Sequence, residues 1–125
     1  MRVTPPRALE QGSASVRRVV NETAFVAVGR AEDVPPGTIR HFTVGETAVA
    51  VANVGGEIHA IEGKCLHLGG PLGRGRFDGR VVSCPFHGWQ YDVTTGENEF
   101  DRAIRLERYD VEVVDGEVRV ALPRA

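Results

Sequence analysis

Two short stretches hold the residues best suited to chemistry: CLHLGG, starting at Cys65, and CPFHGWQYD, starting at Cys84. The first spaces a thiol and an imidazole as Cys-x-His (Cys65, His67), and the second as Cys-x-x-His (Cys84, His87). Sixteen residues separate the halves. Together they supply two soft thiolates and two imidazoles, a complete set for a tetrahedral metal or for a binuclear iron–sulfur cluster. A disulfide between Cys65 and Cys84 would leave both histidines without a role. Free thiols beside unrelated histidines are the bland alternative. Zinc is the serious competitor, but zinc modules usually pair two cysteines in one half and two histidines in the other. Here each half is mixed, and Cys-x-His is short for a zinc knuckle.

The segment around these residues, Gly63 to Gly96, holds both cysteines, two of the four histidines and the single tryptophan. It is rich in glycine and cannot bury much apolar surface by itself, so a metal centre would help fix its shape. The flanking sequence is different in texture. AFVAVG reads as a short strand, and AEDVPPGT after it is dense in turn residues. IRHFTV, TAVAVANV and GEIHAIEG alternate as strands do, with turns at Gly45-Glu46 and Gly55-Gly56. Near the C-terminus, IRLERYDVEVV and EVRVAL flank Asp115-Gly116, a strong hairpin signal. No long window has helical periodicity, so the expectation is all-β. Residues 1–22 mix Pro, Gly, Ser and Arg without apolar periodicity and read as a flexible extension, leaving 23–123 as one domain.

Charge excludes some partners. Fifteen Lys and Arg against 17 Asp and Glu leave no basic stripe, so nucleic acid is not expected. No apolar run approaches the roughly 18 residues that span a bilayer, so no membrane anchor is expected. The N-terminal stretch has arginines but no apolar centre, and Arg17-Arg18 gives way too soon to polar residues for a twin-arginine signal. The expected compartment is the cytoplasm.

Residues 65–70 and 84–92 resemble the two cluster-binding boxes of the Rieske [2Fe–2S] family in ligand type, order and spacer length. The likeness runs outward from about Phe25, through VPPGT and VANVGGEIHAIEGKC, to VDGEVRVAL, roughly four-fifths of the chain. It implies a small antiparallel β-sandwich or barrel with a loop-rich cluster-binding subdomain. It also implies one [2Fe–2S] cluster held by Cys65, His67, Cys84 and His87. In such centres two His replace two Cys on one iron, which raises the potential above that of an all-cysteine cluster. The thiolates hold the iron that stays ferric, and the added electron settles on the other.

Within the family, the high-potential members of respiratory and photosynthetic complexes carry a second cysteine in each box and a serine two residues after the second histidine. This chain has Leu68-Gly69, Phe86 and Trp89 at those places. Tyr91 stands where a tyrosine hydroxyl can bond a cysteine sulfur. Fewer donors to sulfur imply the low end of the Rieske range. About 38 residues follow His87, and the remaining histidines, His41 and His59, precede the boxes, so a mononuclear catalytic iron is not expected. The resemblance is therefore to the ferredoxin of a multicomponent ring-hydroxylating oxygenase. Such a carrier takes single electrons from a flavin-dependent NAD(P)H reductase, passes them to a terminal oxygenase and performs no bond chemistry itself. One departure is that GENEFDRAIRLERYD has no proline where many such ferredoxins place a Gly-Pro-Ala turn. The alternatives are a small Rieske-type subunit of a larger oxidoreductase such as nitrite reductase, and a zinc-braced interaction module.

Supporting roles follow from the same reading. Gly69, Gly70, Gly73 and Gly88 are expected to use positive φ to fold the loops tightly. Pro71 is a candidate cover for the cluster, and Trp89 a core plug beneath its loop. His67 and His87 are expected to face solvent and to couple potential to alkaline pH. His41 and His59 read as structural, and the groups Arg74, Arg76, Arg80 and Glu97, Glu99, Asp101 as solvated faces that could also steer a partner.

Overall fold

Strand β3, Thr47–Val54, is the spine of the molecule. Its alternation of Val and Ala sends Val49 and Val51 to one side and Ala50 and Ala52 to the other, and all four are buried. A strand covered on both faces needs partners on both edges. These are β2, Ile39–Val44, and β4, Glu57–Glu62, each antiparallel to it. The connecting turns fall at Gly45-Glu46 and Gly55-Gly56, where the sequence places them. A short strand numbered β8, Arg108–Tyr109, completes this four-stranded sheet beside β4.

A computed structural model describes residues 23–66, 69–86 and 88–123. The expected extension, 1–22, lies outside the described residues. The second sheet orders β1 (Thr23–Arg30), β10 (Glu117–Pro123) and β9 (Val111–Val114), all antiparallel, with the β9–β10 hairpin turning at Asp115-Gly116. Val118, Val120 and Leu122 of β10 meet Val49, Val51 and Ala60 across the gap between the sheets. This is sheet-on-sheet packing of a β-sandwich.

The other face of β3 carries a different core. There Ile39, Ala50, Ala52 and Ile61 meet Leu72, Val82, Tyr91, Val93, Leu106 and both cysteines. The overlying segment is a three-stranded meander: β5 (Arg76–Phe77), β6 (Val81–Ser83) and β7 (Gln90–Asp92). The sequence reads this region only as loop, because strands of two or three residues are too short to show a period.

One detail differs from the sequence expectation. IRLERYDVEVV is not one strand: Ile104–Glu107 is a crossing segment, tied by Leu106 N–H to Gly96 C=O at 2.8 Å, and Asp110 interrupts the remainder. Among the described residues the helical content is two 3₁₀ turns, Ala31–Asp33 and Leu72–Arg74. No helix among them is long and apolar enough to cross a membrane.

Candidate metal centre

Cys65 follows β4 and Cys84 follows β6, so the two thiols rise from different sheets toward a common point. Their loops are built alike. Gly69 N–H donates to Cys65 C=O at 2.8 Å, and Gly88 N–H donates to Cys84 C=O at 3.1 Å. Cys65 N–H donates to Gly70 C=O at 2.9 Å, and Cys84 N–H to Trp89 C=O at 2.7 Å. Each cysteine therefore opens a turn that closes four and five residues later. Both turns reach a glycine with positive φ, 72° at Gly69 and 76° at Gly88. The repeated glycine four residues after each cysteine is the sequence signal for this matched construction.

Gly70 and Gly73 serve differently from the expectation, since neither has positive φ. A Cβ on Gly70 would stand 2.6 Å from Cys84 Sγ and 3.0 Å from the Phe86 ring. A Cβ on Gly73 would run into the backbone of His41 on β2. These glycines provide room: one lets the first loop touch the second sulfur, and the other seats that loop on the sheet.

Both cysteines are buried free thiols, so no disulfide joins them. Burial pushes the Cys84 thiol up, and the nearby Cys65 thiol adds to this. Two adjacent thiolates in such a place are costly without a cation to absorb their charge. Donors to sulfur are already in position. Phe86 N–H donates to Cys84 Sγ at 3.3 Å, and the Tyr91 hydroxyl lies 3.4 Å from Cys65 Sγ. Tyr91 is fully buried, and burial, with the Cys65 thiol, drives its pKa well above the usual phenol range. It therefore stays protonated and donates whenever Cys65 is a thiolate. This buried sulfur pair with aligned donors fits an iron–sulfur group. Among the described residues no third metal-binding side chain joins the cysteines. His67 and His87, expected as the other two ligands, lie outside the described residues.

Other sequence-picked residues separate by position. Trp89 packs partly buried against the cysteine-bearing core and meets Phe100 edge-on, with centroids 5.1 Å apart. His59 pairs with Glu57 at 2.9 Å. His41 is pushed below its usual pKa by burial and by Arg74. Arg80 is bound to Asp92 at 2.8 Å and Glu97 to Arg105 at 2.7 Å, so these two charges brace loops. Pro71 bridges Lys64 across the base of the first loop. Asn98, which the sequence reading passes over, is fully buried directly opposite Tyr91.

The Rieske [2Fe–2S] domain model matches residues 24–110. The chain belongs to the Rieske family. Its cofactor is a [2Fe–2S] cluster. Ferredoxin CarAc of Metapseudomonas resinovorans is 40% identical over 99 residues, covering 78% of this chain and 92% of that ferredoxin. A solved complex of reduced oxygenase and oxidized ferredoxin in carbazole 1,9a-dioxygenase matches with 39% identity and a TM-score of 0.71, over 81% of this chain and 95% of the other. The Sphingomonas yanoikuyae B1 ferredoxin matches with 30% identity and a TM-score of 0.72, over 80% of this chain and all of the other. The all-antiparallel Rieske fold is common to this chain and these structures.

Proposed function

We propose that this chain is the ferredoxin component of a ring-hydroxylating oxygenase system in the cytoplasm, with Cys65, His67, Cys84 and His87 holding its cluster. It takes single electrons from a flavin-dependent NAD(P)H reductase and delivers them to a terminal oxygenase. The observation that carries the reading is the pair of buried thiols on matched loops, with the Tyr91 hydroxyl on one sulfur and the Phe86 N–H on the other. Likeness to nearly the whole length of known ferredoxins, one of them solved with an oxygenase, supports the acceptor.

A bound cluster supplies a one-electron couple. The chain's own residues set where that couple lies and who reaches it. Tyr91 and Phe86 donate toward sulfur, which stabilises added negative charge. Burial of both sulfurs keeps bulk water away from them. Leu66 and Phe86, each about half exposed beside the cysteines, present an apolar rim on which a partner can seat and exclude water.

An EPR-monitored redox titration of anaerobically purified protein tests this. The expected result is a rhombic signal of low average g in the lower part of the roughly −150 to +300 mV Rieske range. Serine or alanine at each of the four ligand positions should abolish it. A colourless protein with one bound zinc would replace the carrier by a zinc-braced module. Stable stoichiometric co-purification with a larger oxidoreductase would make the chain a fixed subunit instead.

A further inference from the structure

The 3₁₀ turn Leu72–Arg74 ties both cysteine-bearing segments to the first sheet. Leu72 N–H donates to Gly63 C=O at 2.9 Å, just before Cys65, and the Leu72 side chain is fully buried in the core that holds both cysteines. At the far end of the turn a Cβ on Gly75 would run into Ser83 C=O, beside Cys84. The seat of this turn is His41 on β2. Gly73 is buried against it so closely that a Cβ there would stand 2.7 Å from His41 Cβ.

The imidazole in that seat suits one charge state only. Its Nε2 lies 3.3 Å from Thr43 Oγ1 on the exposed side, while Nδ1 is buried and meets no hydrogen-bond partner among the described residues. A neutral ring can present a bare nitrogen there. An imidazolium carries hydrogen on both nitrogens, so its buried N–H would go unpaired. Counter-charge is missing as well. β2 packs against β1, β3 and the 72–74 turn, and none of these four contains Asp or Glu. β3 places Ala50 opposite His41, β1 meets the other face of β2 through Gly29 and Phe42, and the turn brings Arg74. Arg40 precedes His41 in the strand, and Glu46 stands exposed in the turn beyond it. Burial and then Arg74 hold the His41 pKa below 6.5. A histidine depressed in this way contributes stability that is whole above its unfolded pKa and is lost as the pH falls through the folded one.

We propose that His41 is a pH-sensitive latch: its neutral ring seats the 72–74 turn on β2, and its protonation in mild acid unseats the turn, loosens both cysteine segments and speeds release of the cluster. The proposal rests on the reading of Cys65 and Cys84 as cluster ligands.

The test follows cluster release from purified holoprotein, read as loss of visible absorbance in excess iron chelator, from about pH 7.5 to about pH 5.5, the range in which histidine titrates. The variants are His41→Gln, which stays neutral throughout, and Arg74→Gln, which removes the facing cation at an exposed position. The ratio of the acid rate to the neutral rate should be at least about threefold larger in the unaltered protein than in His41→Gln. Arg74→Gln should fall between the two, because a ring freed of that cation loses less on protonation. Acid attack on the ligands themselves speeds all three proteins alike and cancels in the comparison. Equal ratios in the unaltered protein and His41→Gln would overturn the proposal, as would a larger ratio in Arg74→Gln than in the unaltered protein. If His41→Gln fails to hold a cluster, amide exchange at 72–75 carries the test. Corrected for its intrinsic rate, it should quicken as the pH falls in the unaltered protein and less so in Arg74→Gln, and exchange indifferent to pH would remove the latch. The ligand reading is judged separately: a rhombic signal that survives Cys65→Ser or Cys84→Ser overturns that reading and the latch with it, whereas equal ratios in proteins whose signal needs both cysteines remove only the latch.

Discussion

A single methyl group probes how closely the two sulfur-bearing loops approach. Gly69 and Gly70 look interchangeable in CLHLGG, yet the structure gives them opposite demands. Gly69 has φ of 72° with open space where a Cβ would go, while at Gly70 the same Cβ falls 2.6 Å from Cys84 Sγ. Gly69→Ala should therefore cost about 1 kcal/mol of stability through backbone strain and leave the cluster in place. Gly70→Ala should displace the second loop and lower the iron bound per chain, with a stability loss of about 1–3 kcal/mol from overpacking. Iron and sulfide analysis beside melting temperatures separates them. Equal iron content in the two variants would mean that the loops tolerate more separation than their contact suggests. The sequence makes both glycines visible as loop glycines, but whether a glycine serves torsion or space depends on what lies opposite. For Gly70 that neighbour is 14 residues away along the chain.

The elements around the site were legible in proportion to their length. β2, β3 and β4 each run six residues or more, and their turns stand at the glycines that mark them. β5, β6 and β7 leave no period, and beside their backbone pairing they are braced by side-chain bonds that no pattern announces. Asp92, at the end of β7, is the clearest case. Its Oδ1 accepts Thr94 N–H at 2.8 Å and Thr94 O–H at 2.6 Å, while Oδ2 accepts Arg80 Nε–H at 2.8 Å. Burial opposes ionisation of this carboxyl, but Thr94 and Arg80 outweigh it and hold the pKa below the usual value of 3.8. A depressed carboxyl contributes stability that is present above its unfolded pKa and lost as the pH falls through the folded one. Asp92→Asn should thus cost about 2 kcal/mol near pH 7, most of it from the turn bonds, because Arg80 is largely exposed. The gap to the unaltered protein should narrow below about pH 4. Denaturant melts of both proteins from pH 7 to pH 3 check it, and a gap independent of pH would show that ionisation of Asp92 contributes nothing.

At the scale of the molecule, the two cores flanking β3 divide the labour. Among the described residues, the core between the sheets draws on β1, β2, β3, β4, β8, β9 and β10 and contains none from 63–92. The core on the other face includes Cys65, Cys84, Leu72, Val82 and Tyr91, so a large share of its members comes from the segment that carries the site. Metal-bearing loops of this kind draw much of their order from the bound group. Removing the cluster should therefore act unevenly. Amide exchange in 63–92 should accelerate, because the N–H bonds closing the Cys65 and Cys84 turns lose what fixes the sulfurs. Protection in β1 and β10 should persist, since Val118, Val120 and Leu122 remain packed on Val49 and Val51. β3 is the informative strand, because its Ala50 and Ala52 face the loosened side and its Val49 and Val51 the retained one. Its amides bond to β2 and β4 within one sheet, so they should follow the retained core and stay slow. Exchange measured by mass spectrometry on holo and chelator-stripped protein reads all three regions at once. Uniform acceleration would mean that the cluster stabilises the whole fold as one cooperative unit, and that the division at β3 is one of packing alone.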